Sequence, residues 1–289
     1  EAIAFYEQAI SLEREDAQRI PIYLALSDAH FHKGDFALSS ADCRTAIQLA
    51  RANADWRMVE DASFHLNKSL MPQARYAEII ALGKELVALG KPELEICAQA
   101  ILGIGFSHES AHPVEAERHL HEAVRLLDQH TEYSGPITPP VINFELASVM
   151  GQQGRTAEAI AIYHKVLEVL EQGKGTLDLI RNILIYNNLA YQLHLIGDPS
   201  AGSYAQLGIK VAHEKGSLSH IPYLYSTSGE IALANHDLDV AEKSFRDGLA
   251  LAEKLPLPEM IAGLNANLGL VTKERGDSTL AHEQLKNAL

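Results

Sequence analysis

Residues 261–289 read IAGLNANLGLVTKERGDSTLAHEQLKNAL, and this stretch decides the fold. One helical stretch over 261–275 runs into Gly276-Asp277, and a second follows over 278–289. A helix commonly ends on a residue in the left-handed conformation, which glycine adopts without steric cost. A short polar side chain such as Asp277 or Ser278 then caps the free amides that open the next helix. The stretch therefore predicts a helix A, a tight turn and a helix B. The same chemistry stands at Gly34-Asp35 and Gly197-Asp198. His236-Asp237 keeps the Asp, and Thr156 offers a cap after Gly154-Arg155.

The unit recurs along the chain. Turn markers stand at Gly34, Pro72, Ala111, Gly154, Gly197, His236 and Gly276, at spacings of 38, 39, 43, 43, 39 and 40 residues. Five positions after them come the small residues Ser39, Ala77, Ala116, Ala159, Gly202, Ala241 and Ala281. Small side chains there let two helices of a hairpin approach closely, and a bulky one would overpack the contact. Eight positions before five of the markers stand Leu26, Phe64, Leu146, Leu189 and Leu268. Such self-similarity predicts an all-α, right-handed superhelical solenoid of about 7.5 stacked hairpins over residues 1–289. The segment Ala2 to Leu12 reads as a second helix without its first, and the last helix has no capping helix after it. With Glu1 in place of Met, these ends lead us to expect a piece of a longer protein. The loop over 129–140, with Gly135, Pro136, Pro139 and Pro140, reads either as a joint between two rigid halves or as a longer loop in one continuous superhelix.

Composition narrows the function. The chain has 24 Lys and Arg against 38 Asp and Glu, a net charge of −14, so it lacks the cationic footprint that nucleic acid or an anionic membrane would demand. Its hydrophobic content of 47% is enough to build a packed interior rather than a disordered chain. Cys43 and Cys97 fall in different repeats, which argues against a disulfide framework and for a reducing, cytoplasmic setting. No apolar run reaches membrane-spanning length.

The segments Asn188-Leu189-Ala190 through Gly197-Asp198, Gly229 through Ala241 to Phe245, and Leu268-Gly269 through Gly276-Asp277 to Ala281 resemble the tetratricopeptide repeat family. The resemblance covers nearly the whole chain, although His65 and Ile104 stand where the family usually has Gly or Ala. The period near 40 is similar to the long-repeat branch found in MalT-like bacterial regulators and kinesin light chains. The resemblance implies a module for protein interaction, signalling or transcription regulation. It implies a protein or peptide partner, with a small-molecule inducer as the alternative, and no cofactor. It further implies a concave groove on the helix A face. Carried over position by position, that groove includes Asp28, Phe31, Leu66, Phe144, Ser148, Asn187, Tyr191, His194, Tyr223, Ser226 and Glu230. These positions carry no cluster of Lys or Arg, so the groove cannot clamp a C-terminal carboxylate as some family members do. Asn187-Asn188 is the polar pair best suited to hold a peptide backbone, since an amide both donates and accepts. The competing role for Asn188 is to cross-link neighbouring helices.

His108-Glu109-Ser110-Ala111-His112 spells the H-E-x-x-H pattern of zinc hydrolases. That chemistry needs one unbroken helix presenting both histidines to one metal. The repeat register instead places a turn at Ala111, and Pro113 disfavours helix at His112. His108 is therefore expected to end a helix A and His112 to open a helix B. The chain reads as a binding protein rather than an enzyme.

Overall fold

The computed structural model describes all residues except 110–111, 176, 256 and 288–289. Among the described residues it holds fifteen α-helices and no strand. They are α1 (Ala2–Leu12), α2 (Asp16–Lys33), α3 (Phe36–Ala52), α4 (Trp56–Leu70), α5 (Tyr76–Ala88), α6 (Pro92–His108), α7 (Pro113–Gln129) and α8 (Pro139–Gln152). There follow α9 (Thr156–Glu171), α10 (Leu179–Leu195), α11 (Ala201–Glu214), α12 (Ile221–Ala234), α13 (Leu238–Lys254), α14 (Pro258–Glu274) and α15 (Ser278–Asn287). The chain divides into two compact units, Glu1–Val149 and Met150–Leu289. In the first, α2, α4 and α6 are helices A, paired with α3, α5 and α7. In the second, α10, α12 and α14 pair in the same way with α11, α13 and α15.

At the reversals whose residues are all described, the step from helix A to helix B rests on one left-handed residue. Gly34, Gly154, Gly197 and Gly276 have φ of 89°, 76°, 71° and 92°. His236 adopts the same conformation with φ 58°. The following amide reaches back to satisfy an orphan carbonyl, as in Asp35 N to His30 O at 2.9 Å and Asp237 N to Ala232 O at 2.9 Å. This double closure of the last turn fixes the exit direction of the chain.

Two turns depart from the sequence reading. In the second hairpin the left-handed residue is Ala74, φ 52°, because Met71–Gln73 continues as a 3-10 turn. The register moves by two positions. Ile79, not Ala77, is then the buried residue five places on, and Ala77 is exposed. Leu66, not Phe64, takes the interior place eight before the turn. In the fifth hairpin the Asp198 carboxylate accepts from Ser200 N and Oγ at 2.8 and 2.6 Å. That turn starts α11 at Ala201, so Ala201 is buried while Gly202 has no neighbouring atom within 4 Å of the place a Cβ would occupy. Ser39, Ala116, Ala159, Ala241 and Ala281 are buried as the spacing predicts. The turn marker Ala111 lies outside the described residues.

Caps are likewise mixed. Asp237 and Asp277 accept from Val240 N and Leu280 N at 3.2 and 3.0 Å. Asp35 instead pairs with Lys33 at 2.7 Å and caps nothing. Thr156 is the first residue of α9 rather than its cap, and Arg155 before it binds Glu158.

Close packing follows from the small residues. Gly103 and Gly105 let α6 touch α7 and α5, since a Cβ on them would overlap Leu120 and Ile80. Eleven of the seventeen α6 residues are buried, so this helix is enclosed on most of its circumference. By contrast α1 has no buried residue. Ser39 puts a hydroxyl into the interior, and its Oγ meets Ser27 Oγ at 2.9 Å and Ser69 Oγ at 2.6 Å. One buried hydrogen-bonded cluster thereby joins α2, α3 and α4. Cys43 lies in it at 2.9 Å from Ser27, and both cysteines are free thiols.

The loop after α7 is tied into the first unit. Tyr133 donates to the buried Glu60 of α4, and Ile137 is 1% exposed in the same core. Burial pushes the Glu60 carboxyl up to about 7, although Tyr133 and the Arg57 charge oppose the rise. The folded state therefore holds a proton that the unfolded chain releases near 4.5. Stability from this group is complete below about 4.5 and is lost as pH rises through about 7. Glu60→Gln should abolish that dependence, removing a fall on the order of 3 kcal/mol between pH ~5 and ~8 in urea unfolding of the protein.

A pair of variants probes one reversal and one helix contact of the hairpin formed by α12 and α13. His236→Gly relieves a left-handed non-glycine residue and should stabilise by about 0.5–1 kcal/mol. Gly229→Ala drives a methyl into the fully buried Phe245 ring and should cost about 1–3 kcal/mol. Denaturant midpoints of the two variants should move in opposite directions.

Candidate functional site

The helix A faces gather two sets of polar and aromatic side chains, one in each unit. In the first unit Asp28 and Phe31 of α2 stand one turn apart, as expected. Leu66 does not join them; the shifted register buries it in the core at 4% exposure. His65 and Lys68 of α4 come forward instead. Asp28 Oδ1 lies 3.3 Å from His65 Nδ1 and 3.6 Å from Lys68 Nζ. Lys68 Nζ also sits over the Phe31 ring, 4.7 Å from its centre. Burial works to raise the Asp28 carboxyl, but His65, Lys68 and His32 together hold it below the usual carboxylate range. Lys68, the cation brought to this face, is thus already matched by an anion and a ring. The sequence signal for Lys68 is the residue six before Ala74, the same offset that picks Asp28 before Gly34. Phe144 and Ser148 lie on α8. Phe144 is 5% exposed, and Ser148 Oγ donates to the Phe144 carbonyl at 3.1 Å.

The second unit carries the larger set. Asn187, Tyr191 and His194 share one face of α10, and Tyr223, Ser226 and Glu230 share one face of α12. Polar bonds stitch these helices A together. Asn187 Oδ1 accepts from Thr227 Oγ1 of α12 at 2.9 Å. Asn267 Nδ2 of α14 donates to Glu230 Oε1 at 3.3 Å and to Ser226 Oγ at 3.4 Å, while Ser226 Oγ donates to Glu230 Oε1 at 2.9 Å. Asn188 donates to the buried Tyr163 hydroxyl at 3.2 Å, which ties α9 to α10. Thr227 and Asn267 were missed in the sequence reading, yet they stand nine positions before His236 and Gly276, as Asn188 stands before Gly197.

Between these stitches, large side chains remain uncovered. Tyr191, Tyr223 and Leu270 are 41%, 41% and 40% exposed, one on each of α10, α12 and α14. Glu230 is the sole charged residue of α12. The arrangement offers ring faces, an aliphatic tip and one oriented carboxylate, with the amides held by their neighbours.

The H-E-x-x-H residues do not share a helix. His108 ends α6 and stacks on Tyr76 at 5.4 Å, and His112 is the N-cap of α7, edge-on to Phe106 at 5.8 Å. Ser110 and Ala111 lie outside the described residues. Among the described residues no three His, Cys, Asp or Glu converge as a metal set would. Nor is any helix among them long and apolar enough to cross a membrane.

Helical hairpins of this kind, present in both units, define an all-α fold of the tetratricopeptide type. Residues 20–53, which take in most of α2 and all of α3, match the tetratricopeptide repeat. No curated protein sequence is significantly similar to the chain. Among solved structures, the chain is similar to the Rap conjugation gene regulator of plasmid pLS20 in complex with the Phr* peptide. There the TM-score is 0.64 at 15% identity, covering 93% of this chain and 72% of that one. It is similar to BtubC (BKLC) from P. vanneervenii, with TM-score 0.58, 20% identity, and coverage of 74% and 87%. It also resembles a signal transduction ATPase with a tetratricopeptide repeat sensor from Pyrococcus horikoshii, with TM-score 0.62 and 13% identity, covering 98% of this chain and 43% of that one. These likenesses show a shared fold.

Bonded and exposed members of this face separate by stability. Asn187→Ala leaves the buried Thr227 hydroxyl without its acceptor and should cost about 1–3 kcal/mol in urea unfolding. Tyr191→Ala, on an exposed ring, should stay within about 0.5 kcal/mol of the parent protein.

Proposed function

We propose that the chain is a non-catalytic interaction module that holds an extended peptide segment across α10, α12 and α14. The observation that carries this reading is the row of uncovered side chains Tyr191, Tyr223 and Leu270 on three successive helices A. Aromatic groups exposed on a rigid face supply contact area at low entropic cost, which is why they dominate recognition surfaces. Glu230, oriented by Ser226 and Asn267, would accept a backbone amide or a cationic side chain of the peptide. The Rap regulator, of similar fold, is complexed with a peptide, which supports a peptide over other occupants. An inducer-sensing role within a larger regulator rests on the fold of the Pyrococcus horikoshii sensor protein alone.

A displayed library of random peptides, selected on the immobilised protein, tests the reading. Selected peptides should bind the Tyr191→Ala/Tyr223→Ala variant at least about tenfold more weakly, and Glu230→Gln should cost a similar factor. Peptides that bind all three proteins equally would place recognition elsewhere on the molecule.

A further inference from the structure

Apart from the set around Asp28, the first unit has an open hollow of about 370 Å³ between α5, α6 and α7. The size lies within the range of small-molecule sites. Val87, Leu102 and Phe106 form its apolar wall, and Lys84 and Arg118 bring two cations to it. Lys84 has no ion-pair partner among the described residues.

The Arg118 head is held in place by a short relay. His119, 8% exposed, lies parallel to and offset from the Phe106 ring, with ring centres 5.6 Å apart and planes 6° apart. Its Nδ1 lies 2.6 Å from Gln99 Oε1, an atom that can only accept, so Nδ1 carries the proton and donates. Its Nε2 then presents a lone pair, and Arg118 Nη2 donates to it at 2.8 Å. Burial and the adjacent Arg118 charge both lower the basicity of His119, in keeping with a neutral ring. Glu115 accepts from Arg118 Nε at 3.0 Å and Nη2 at 2.8 Å, closing the other side. Two cations against one carboxylate leave a single positive charge over an apolar hollow. The His119 ring, anchored on Gln99, thus fixes one side of an otherwise exposed guanidinium at the mouth of the hollow.

We propose that this cavity binds a small organic monoanion, a carboxylate on an aromatic or branched aliphatic body, with Lys84 and Arg118 on the carboxylate and Val87, Leu102 and Phe106 around the body. The proposal is independent of peptide binding in the second unit. A free acid and the C-terminal carboxylate of a peptide chain share this chemistry.

Methyl-labelled NMR titration of the whole chain with 4-phenylbutyrate tests it. The Val87 and Leu102 methyl signals should shift and saturate by about 10 mM ligand. The uncharged 4-phenylbutanamide should bind at least about tenfold more weakly, as should 4-phenylbutyrate to the surface variant Lys84→Met/Arg118→Met. Val87→Trp should fill the hollow and abolish the Leu102 methyl shift without disturbing the fold, since Val87 is 49% exposed. A tripeptide ending in a free phenylalanine carboxylate distinguishes the sources: binding tighter than that of 4-phenylbutyrate assigns a chain end, and weaker binding a free acid. Equal affinity for acid and amide, unchanged affinity in the double variant, or no shift at these methyls overturns the proposal. Peptide selection on the second unit can fail without touching this result, and the reverse holds.

Discussion

The hairpins of this protein depend on one backbone event repeated along the chain: a single residue in the left-handed region at the described turns after Lys33, Gln73, Gln152, Leu195, Ala234 and Glu274. That residue turns the chain by closing two hydrogen bonds onto the helix it leaves. Helix B can then return along helix A, and the small side chain a few positions later lets the two axes come close. Where the residue is glycine the event costs little; where it is Ala74 or His236 the surrounding hairpin must sustain a strained conformation. The buried Ser39, Ala159 and Ala241 all take their places from this geometry.

The hairpins were legible because their grammar is local. Gly276-Asp277 announces a turn in any context, and the period follows from counting. What was not legible is how many residues each turn consumes. Met71–Gln73 adds part of a 3-10 turn, and nothing in Met-Pro-Gln distinguishes that from an ordinary helix end. The two-residue slip reached the candidate site, exchanging Leu66 for Lys68 and placing a cation where none was read. The Asp198 carboxylate made a similar change by turning toward Ser200 and moving the start of α11. The expected cap at Asp35 failed because Lys33 competes for the carboxylate, a choice set by side-chain proximity rather than by spacing.

Within the second unit, the polar groups have a double character. Asn187, Ser226 and Glu230 were chosen from sequence as groups that would face a ligand. Their amide, hydroxyl and carboxylate atoms also bond from one helix A to the next. This cross-bonding sets the spacing of α10, α12 and α14 without an apolar interface at the surface, so the Tyr191, Tyr223 and Leu270 side chains need not turn inward. The hydrogen-bonded scaffold and the exposed rings proposed to contact a peptide thus occupy neighbouring positions on the same helices.

The enclosure of α6 bears on how the first unit breathes. A helix surrounded by α4, α5 and α7, with glycines pressed against Leu120 and Ile80, cannot detach piecemeal. Its amide protons can meet solvent only when the whole cooperative block opens, whereas those of α1, which buries nothing, exchange through local fraying. Two helices of one unit, α1 and α6, therefore live on different clocks.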